Sequence, residues 1–168
     1  FVRKRLLIMY NWKEVLNQVN GALAAMPFGR KPAELYAPIR YVLSLGGKRI
    51  RPVLMLMAYN LYKEDVETIS SQALAIEIYH NYTLLHDDLM DKADMRRGMP
   101  TVHKKWNDNA AILSGDSMLV MAYQYMMKDC PAGKVADVMG LFTETALEIG
   151  EGQQYDIEFE TRSDVTED

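Results

Sequence analysis

The sequence has almost no cysteine. Cys130 is the single one among 168 residues, so no internal disulfide framework is available, and the pattern suits a reducing compartment. A dominant charge is also lacking. There are 19 basic and 23 acidic residues, giving a formal net charge of −4 without a long run of either sign. That balance argues against nucleic acid as a partner. No stretch approaches the roughly 18 apolar residues that span a bilayer. The start, Phe1-Val2-Arg3-Lys4-Arg5-Leu6-Leu7-Ile8, is basic and then apolar, but its apolar part is shorter than the roughly 7–15 residues of a signal-peptide core. Stable membrane insertion is therefore not expected, and a cytoplasmic location is. Internal repeats, low-complexity segments and strand-like alternation are absent too.

What the sequence has is helical patterning. Half of the residues are hydrophobic (49%), enough to bury a core in one ordinary domain. Twelve of them are Met, which packs adaptably between helices. Trp12, Val15, Leu16, Val19 and Leu23 recur at helical spacing and predict a helix over 11–25. Breaks at Pro27–Pro32, Gly46-Gly47, Lys63–Asp65, Gly98–Thr101 and Cys130–Gly133 then delimit helices over 33–45, 50–62, 66–92, 108–129 and 134–159. Asn107 or Asp108 is the expected cap of the fifth. The fold class is all-α, an antiparallel helical bundle. Residues 1–8 read as upstream or added sequence before a natural start at Met9, and 9–168 as part of one domain. Ser163–Asp168 resembles a helix start, with Thr166 as a candidate cap. The expectation is thus the N-terminal part of a longer, here incomplete, bundle.

Two constellations carry chemistry. In Asp87-Asp88-Leu89-Met90-Asp91 the outer acids are four residues apart, one helical turn of about 5.4 Å. Like charges at that spacing repel, and a cation relieves the repulsion. Mg²⁺ prefers oxygen ligands and shares its shell between a few carboxylates and substrate phosphates. His80, Leu84, Asp87 and Asp91 share one stripe, and His86 directly precedes the acids. Arg96-Arg97-Gly98 follows, with the planar forks that suit phosphate. The second constellation is Gly46-Gly47-Lys48-Arg49-Ile50-Arg51-Pro52. It places three cations after a permissive turn and before a helix start, an arrangement suited to an anion. It lacks the P-loop spacing. By itself each constellation also fits a solvated charged face.

Taken together, Gly-Gly-Lys-Arg-Ile-Arg-Pro, Glu77-x-x-His80, His86-Asp87-Asp88-x-x-Asp91 and Arg96-Arg97-Gly98 resemble the trans-type polyprenyl diphosphate synthases, which include farnesyl and geranylgeranyl diphosphate synthases. The resemblance covers the chain from about residue 10 and implies an isoprenoid-synthase bundle, Mg²⁺ and a homodimer. It implies that Lys48, Arg51, His80 and Arg97 bind the diphosphate of isopentenyl diphosphate. Asp87 and Asp91 would hold Mg²⁺ against an allylic diphosphate (dimethylallyl, geranyl or farnesyl), which Arg96 contacts. Asp87, Asp91, Arg96 and Lys48 would be the catalytic set, with Asp88 in support. Gln153 and Asp156 resemble the family's later Gln-x-x-Asp pair. Tyr82 and Tyr79, five and eight residues before Asp87, resemble the positions that floor the product tunnel and imply a C15 or C20 product.

The family's second aspartate motif and its later Lys-Thr segment are not in these residues. Rival readings are a non-catalytic subunit that binds diphosphates without turnover and a class I terpene cyclase. The Gly46–Pro52 and Arg96-Arg97-Gly98 segments disfavour the cyclase, which needs no isopentenyl diphosphate pocket. The 168 residues alone are expected to show no normal prenyl transfer with Mg²⁺; clear turnover in that assay would refute this.

Overall fold

The computed structural model describes residues 8–166. Residues 1–7 of the expected leader, and Glu167 and Asp168 of the expected helix start, lie outside them. The first of two compact units extends to Asp129 and the second from Cys130. Unit one holds α1 (Trp12–Ala24), α2 (Ala33–Ser44), α3 (Ile50–Asn60), α4 (Ser70–Met90), a minimal hairpin of β1 (Met95–Arg96) and β2 (Met99–Pro100), α5 (Val102–Lys105) and α6 (Asp108–Met127). Unit two is built on α7 (Val135–Phe159).

The helices begin where local chemistry starts them. Asn11 and Glu14 form a reciprocal capping box at α1, with bonds of 3.1 and 2.8 Å, satisfying two otherwise orphaned N–H groups. The Asn107 side chain accepts from the Ala110 amide at 2.8 Å and caps α6. The helix predicted over 11–25 is present as α1, with Val15, Val19 and Leu23 buried and Trp12 38% exposed. The helix predicted over 66–92 starts later. Val66–Ile69 form a tighter 3₁₀ turn, held because the Thr68 hydroxyl donates to the Asp65 carboxylate at 3.1 Å. Such local side-chain bonds compete with the α-helix.

A departure from the all-helical expectation is the hairpin. Arg97 and Gly98 both have positive φ, 54° and 76°. That is the conformation of a two-residue type I′ turn, and it pairs Met95 with Pro100 and Arg96 with Met99. Strands of two residues are too short to show alternation. The Tyr41 hydroxyl on α2 donates to the Pro100 carbonyl at 2.7 Å, pinning the hairpin to the bundle.

α4 is the central element, with buried side chains along its whole length. It lies antiparallel to α6. At one end the Gln72 amide donates to the Met126 and Lys128 carbonyls at 3.1 and 2.6 Å, satisfying acceptors left over at the α6 terminus. At the other, His86 Nε2 lies 3.4 Å from the Ile112 carbonyl. The close approach there requires Gly115, which is buried; a β-carbon at Gly115 would overlap the His86 ring. In unit two, α7 by itself buries none of its side chains.

Gly115→Ala is expected to destabilise the first unit by about 1–3 kcal/mol, the usual cost of overpacking. His86→Ala in the same background should return most of that loss. Denaturant unfolding of the two variants checks this, and an unchanged Gly115→Ala would contradict the packing.

Candidate functional site

The turn between α2 and α3 has an unusual backbone. Gly46, Gly47 and Arg49 take φ of 77°, 137° and 49°. The glycines adopt these values freely, whereas a left-handed Arg costs about 1–2 kcal/mol. Arg49 is only 5% exposed, in contrast to the exposed Lys48 and Arg51 beside it. Arg49 Nη1 donates to Glu77 Oε1 at 2.6 Å, and Nη2 donates to the Leu43 carbonyl at 2.6 Å. Asn81 Nδ2 donates to the same Glu77 oxygen at 2.9 Å. Of the three cations read as one anion-binding cluster, Arg49 is therefore a core residue.

Lys48, Arg51, His80 and Arg97 line one cleft of about 380 Å³, together with Gly47, Arg49, Ile50 and Glu77. Arg51 Nη1 lies 3.4 Å from His80 Nε2. Arg97, at the hairpin tip, donates to the Gly46 carbonyl. Its guanidinium lies close to Gly47, where an added β-carbon would sit 2.9 Å from it; the flexible Arg97 could shift away, so glycine is favoured there by its φ of 137°. Burial and then the Arg51 charge hold the His80 imidazole below its ordinary value of 6.5. Burial, then Arg49, likewise lowers Arg97.

The acids sit further along α4. Asp87 is seven residues beyond His80, so roughly 10 Å along the helix axis and on the same face. Asp91 is the C-cap of α4, its amide donating to the Asp87 carbonyl at 2.9 Å. The three acids thus stand at the negative end of the helix dipole, where cations are favoured. Arg96 meets part of that need. Its Nε donates to both Asp88 oxygens at 2.8 Å, and its Nη2 lies 2.7 Å from Asp88 Oδ1 and 3.6 Å from Asp87 Oδ2. These bonds to Asp88 raise the Arg96 pKa. Asp88 is buried, 5% exposed, and holds the Arg; Asp87 is half-buried and Asp91 exposed.

Among the described residues no group of three or more His, Cys, Asp and Glu converges on a point. Two carboxylates one turn apart do not form a closed cage. They do fit Mg²⁺, which commonly keeps its waters and takes one or two carboxylates plus substrate phosphates.

Tyr79 and Tyr82 form an adjacent stripe on α4, ring centroids 5.5 Å apart, and Tyr82 meets His86 edge-on at 4.9 Å. Burial raises both phenol pKa values. Gln153 and Asp156 are on α7, in the second unit. Sequence reasoning missed Gly115, for which an isolated glycine inside a helical pattern was the available signal. It also missed Tyr41, which carried no signal. A larger cleft of about 740 Å³ lies near α1 and α2, but it contains neither the acids nor Lys48, Arg51 or His80.

Comparison with known proteins decides the family. The description "Polyprenyl synthetase" matches residues 32–168. The chain belongs to the polyprenyl synthetase family. It is 42% identical to a geranylgeranyl diphosphate synthase of Methanosarcina mazei, covering 82% of this chain and 43% of that protein. It is 39% identical to a geranylfarnesyl diphosphate synthase of Natronomonas pharaonis, covering 88% and 48%. The crystal structure of a geranylgeranyl pyrophosphate synthase superposes with a TM-score of 0.90 at 45% identity, covering 95% of this chain and 48% of that one. The chain spans about half the length of the curated relatives it matches. Among the described residues no helix is long and apolar enough to cross a membrane.

Because the fold depresses the His80 pKa, the unfolded chain binds more protons near pH 6.5 than the folded one does. His80 therefore contributes stability above that pH, and the contribution is lost as pH falls towards the folded value. Arg51→Ala should raise the His80 pKa, seen as a higher midpoint in its imidazole proton NMR titration. A lowered or unchanged midpoint would contradict the assigned cause.

Proposed function

We propose that this protein is a prenyltransferase that condenses isopentenyl diphosphate head-to-tail with an allylic diphosphate, and that these residues form one wall of its site. The observation that carries the reading is the convergence of Lys48, Arg51, His80 and Arg97 on one cleft, with Asp87 and Asp91 further along the same helix. A diphosphate in that cleft would meet charged, partly pre-oriented donors. The second diphosphate belongs at the acid end, where Asp87 and Asp91 would hold Mg²⁺ and Arg96 stands alongside. Bound there, Mg²⁺ supplies positive charge for the departing diphosphate.

The allylic carbon–oxygen bond breaks and its electron pair leaves with the diphosphate. The double bond of isopentenyl diphosphate attacks the allylic carbon, a carbon–carbon bond forms, and a proton passes from the new chain to the released diphosphate or to water. Arg96 stabilises charge on the leaving group. Lys48, Arg51, His80 and Arg97 hold the acceptor, removing part of the entropic barrier. Tyr82 and Tyr79 would limit the tail. Relatives named for geranylgeranyl and geranylfarnesyl products favour C20 over C15 and extend the range to C25. The reading includes a homodimer, a cytoplasmic location and a substrate-binding role for Gln153.

Calorimetric titration with isopentenyl diphosphate tests the proposal. Arg51→Ala or Lys48→Ala should each weaken binding by about 1.5–3 kcal/mol, or roughly ten- to hundredfold. Asp87→Asn should leave that binding intact and abolish Mg²⁺-dependent binding of geranyl diphosphate. Isopentenyl diphosphate binding that ignores Arg51 and Lys48 would overturn the reading.

A further inference from the structure

The proposed chemistry uses every charged group lining the 380 Å³ cleft except Arg49 and Glu77. Arg49 is unsuited to bind a substrate. Its side chain is 3% exposed, and both terminal nitrogens are engaged, one with Glu77 and one with the Leu43 carbonyl. Glu77 is the one acid among the residues lining that cleft. An unpaired carboxylate there would oppose a diphosphate. Paired with Arg49 at 2.6 Å, and accepting from Asn81 at 2.9 Å, its charge is compensated.

We propose that the Arg49–Glu77 pair is a positioning device for the anion cleft, drawing the middle cation of the turn into the core so that Lys48 and Arg51 face the diphosphate. The inference rests on the functional reading above.

Three features support it. First, the turn carries three positive φ values within four residues, at Gly46, Gly47 and Arg49. A left-handed arginine persists only where its surroundings hold it, and here the hold comes from two elements at once. Nη2 ties the turn to the end of α2 through Leu43, and Nη1 ties it to α4 through Glu77. Second, Arg49 is the N-cap of α3, and its carbonyl accepts from the Val53 amide at 3.1 Å. The direction of its side chain is thus coupled to where α3 begins, and Arg51 is the second residue of that helix. Third, Glu77 lies three residues before His80, on the same side of α4, and His80 stands 3.4 Å from Arg51. A single salt bridge therefore sets the turn, the start of α3 and the helix carrying His80 in one register.

A purely structural pair and a positioning pair respond differently to replacement. A buried ion pair exchanged for apolar residues of similar volume often keeps its stability. Methionine at both positions fills the space, but it can neither donate to the Leu43 carbonyl nor hold the left-handed turn. The test is the double variant Arg49→Met/Glu77→Met, measured by thermal unfolding, isopentenyl diphosphate titration and Mg²⁺-dependent geranyl diphosphate titration. The expected result is a melting temperature close to the parent's, geranyl diphosphate binding unchanged, and isopentenyl diphosphate binding weaker by about tenfold or more, as small misplacements of binding groups produce. Unchanged isopentenyl diphosphate affinity in a folded double variant would overturn the inference while leaving the functional reading in place. Parent affinity that ignores Arg51→Ala would remove both. If the double variant does not fold, Glu77→Gln decides by the same comparison, since it keeps volume and an acceptor for Asn81 but removes the countercharge.

Discussion

One buried ion pair orders much of this structure. Arg49 and Glu77 are each almost inaccessible and stand 2.6 Å apart. Two charges taken out of water are costly, and only good geometry with further hydrogen bonds offsets the cost. Leu43 and Asn81 provide those bonds. The result joins α2, α3 and α4 at the point where the chain reverses. Hydrophobic packing alone allows helices some freedom to slide and rotate. A directional pair between fixed positions allows less.

A second pair divides the labour at the other end of α4. Asp88 and Arg96 lock together through both carboxylate oxygens, leaving Asp87 and Asp91 on more accessible ground. Both charged clusters therefore follow the same plan. In a run of like-charged residues, one member turns inward and is neutralised, and its neighbours stay towards solvent. The inward members, Arg49 and Asp88, are each engaged with partners inside the protein, which constrains where the outward members stand.

Much of this was legible in the sequence. The helices were readable because apolar residues recur at helical spacing and because Gly, Pro and Asn mark the ends, as Asn107 does for α6. The charged cluster was readable because four motifs occur in order. The inward turn of Arg49 was not readable. Three basic residues in four positions look equivalent in one dimension, and a positive φ on a non-glycine residue leaves no compositional mark. The hairpin escaped for a related reason. Its turn residues, Arg97-Gly98, depart from the usual Asn-Gly or Asp-Gly signal, and its strands have two residues each.

The seven-residue interval between His80 and Asp87 has a consequence for how such a site can diversify. Both residues stand on one uninterrupted helix, so the helix acts as a ruler between the two charged regions. Inserting one residue into it would rotate everything beyond by about 100° and advance it by about 1.5 Å, carrying the acids off the shared face. Insertions in that interval are therefore closed to variation, and substitutions are not. Side chains such as Tyr79 and Tyr82, on the neighbouring stripe, can change in bulk while the graduation between the charged ends stays constant. Bulk beside the ruler and spacing along it are uncoupled, because one depends on side-chain size and the other on backbone pitch.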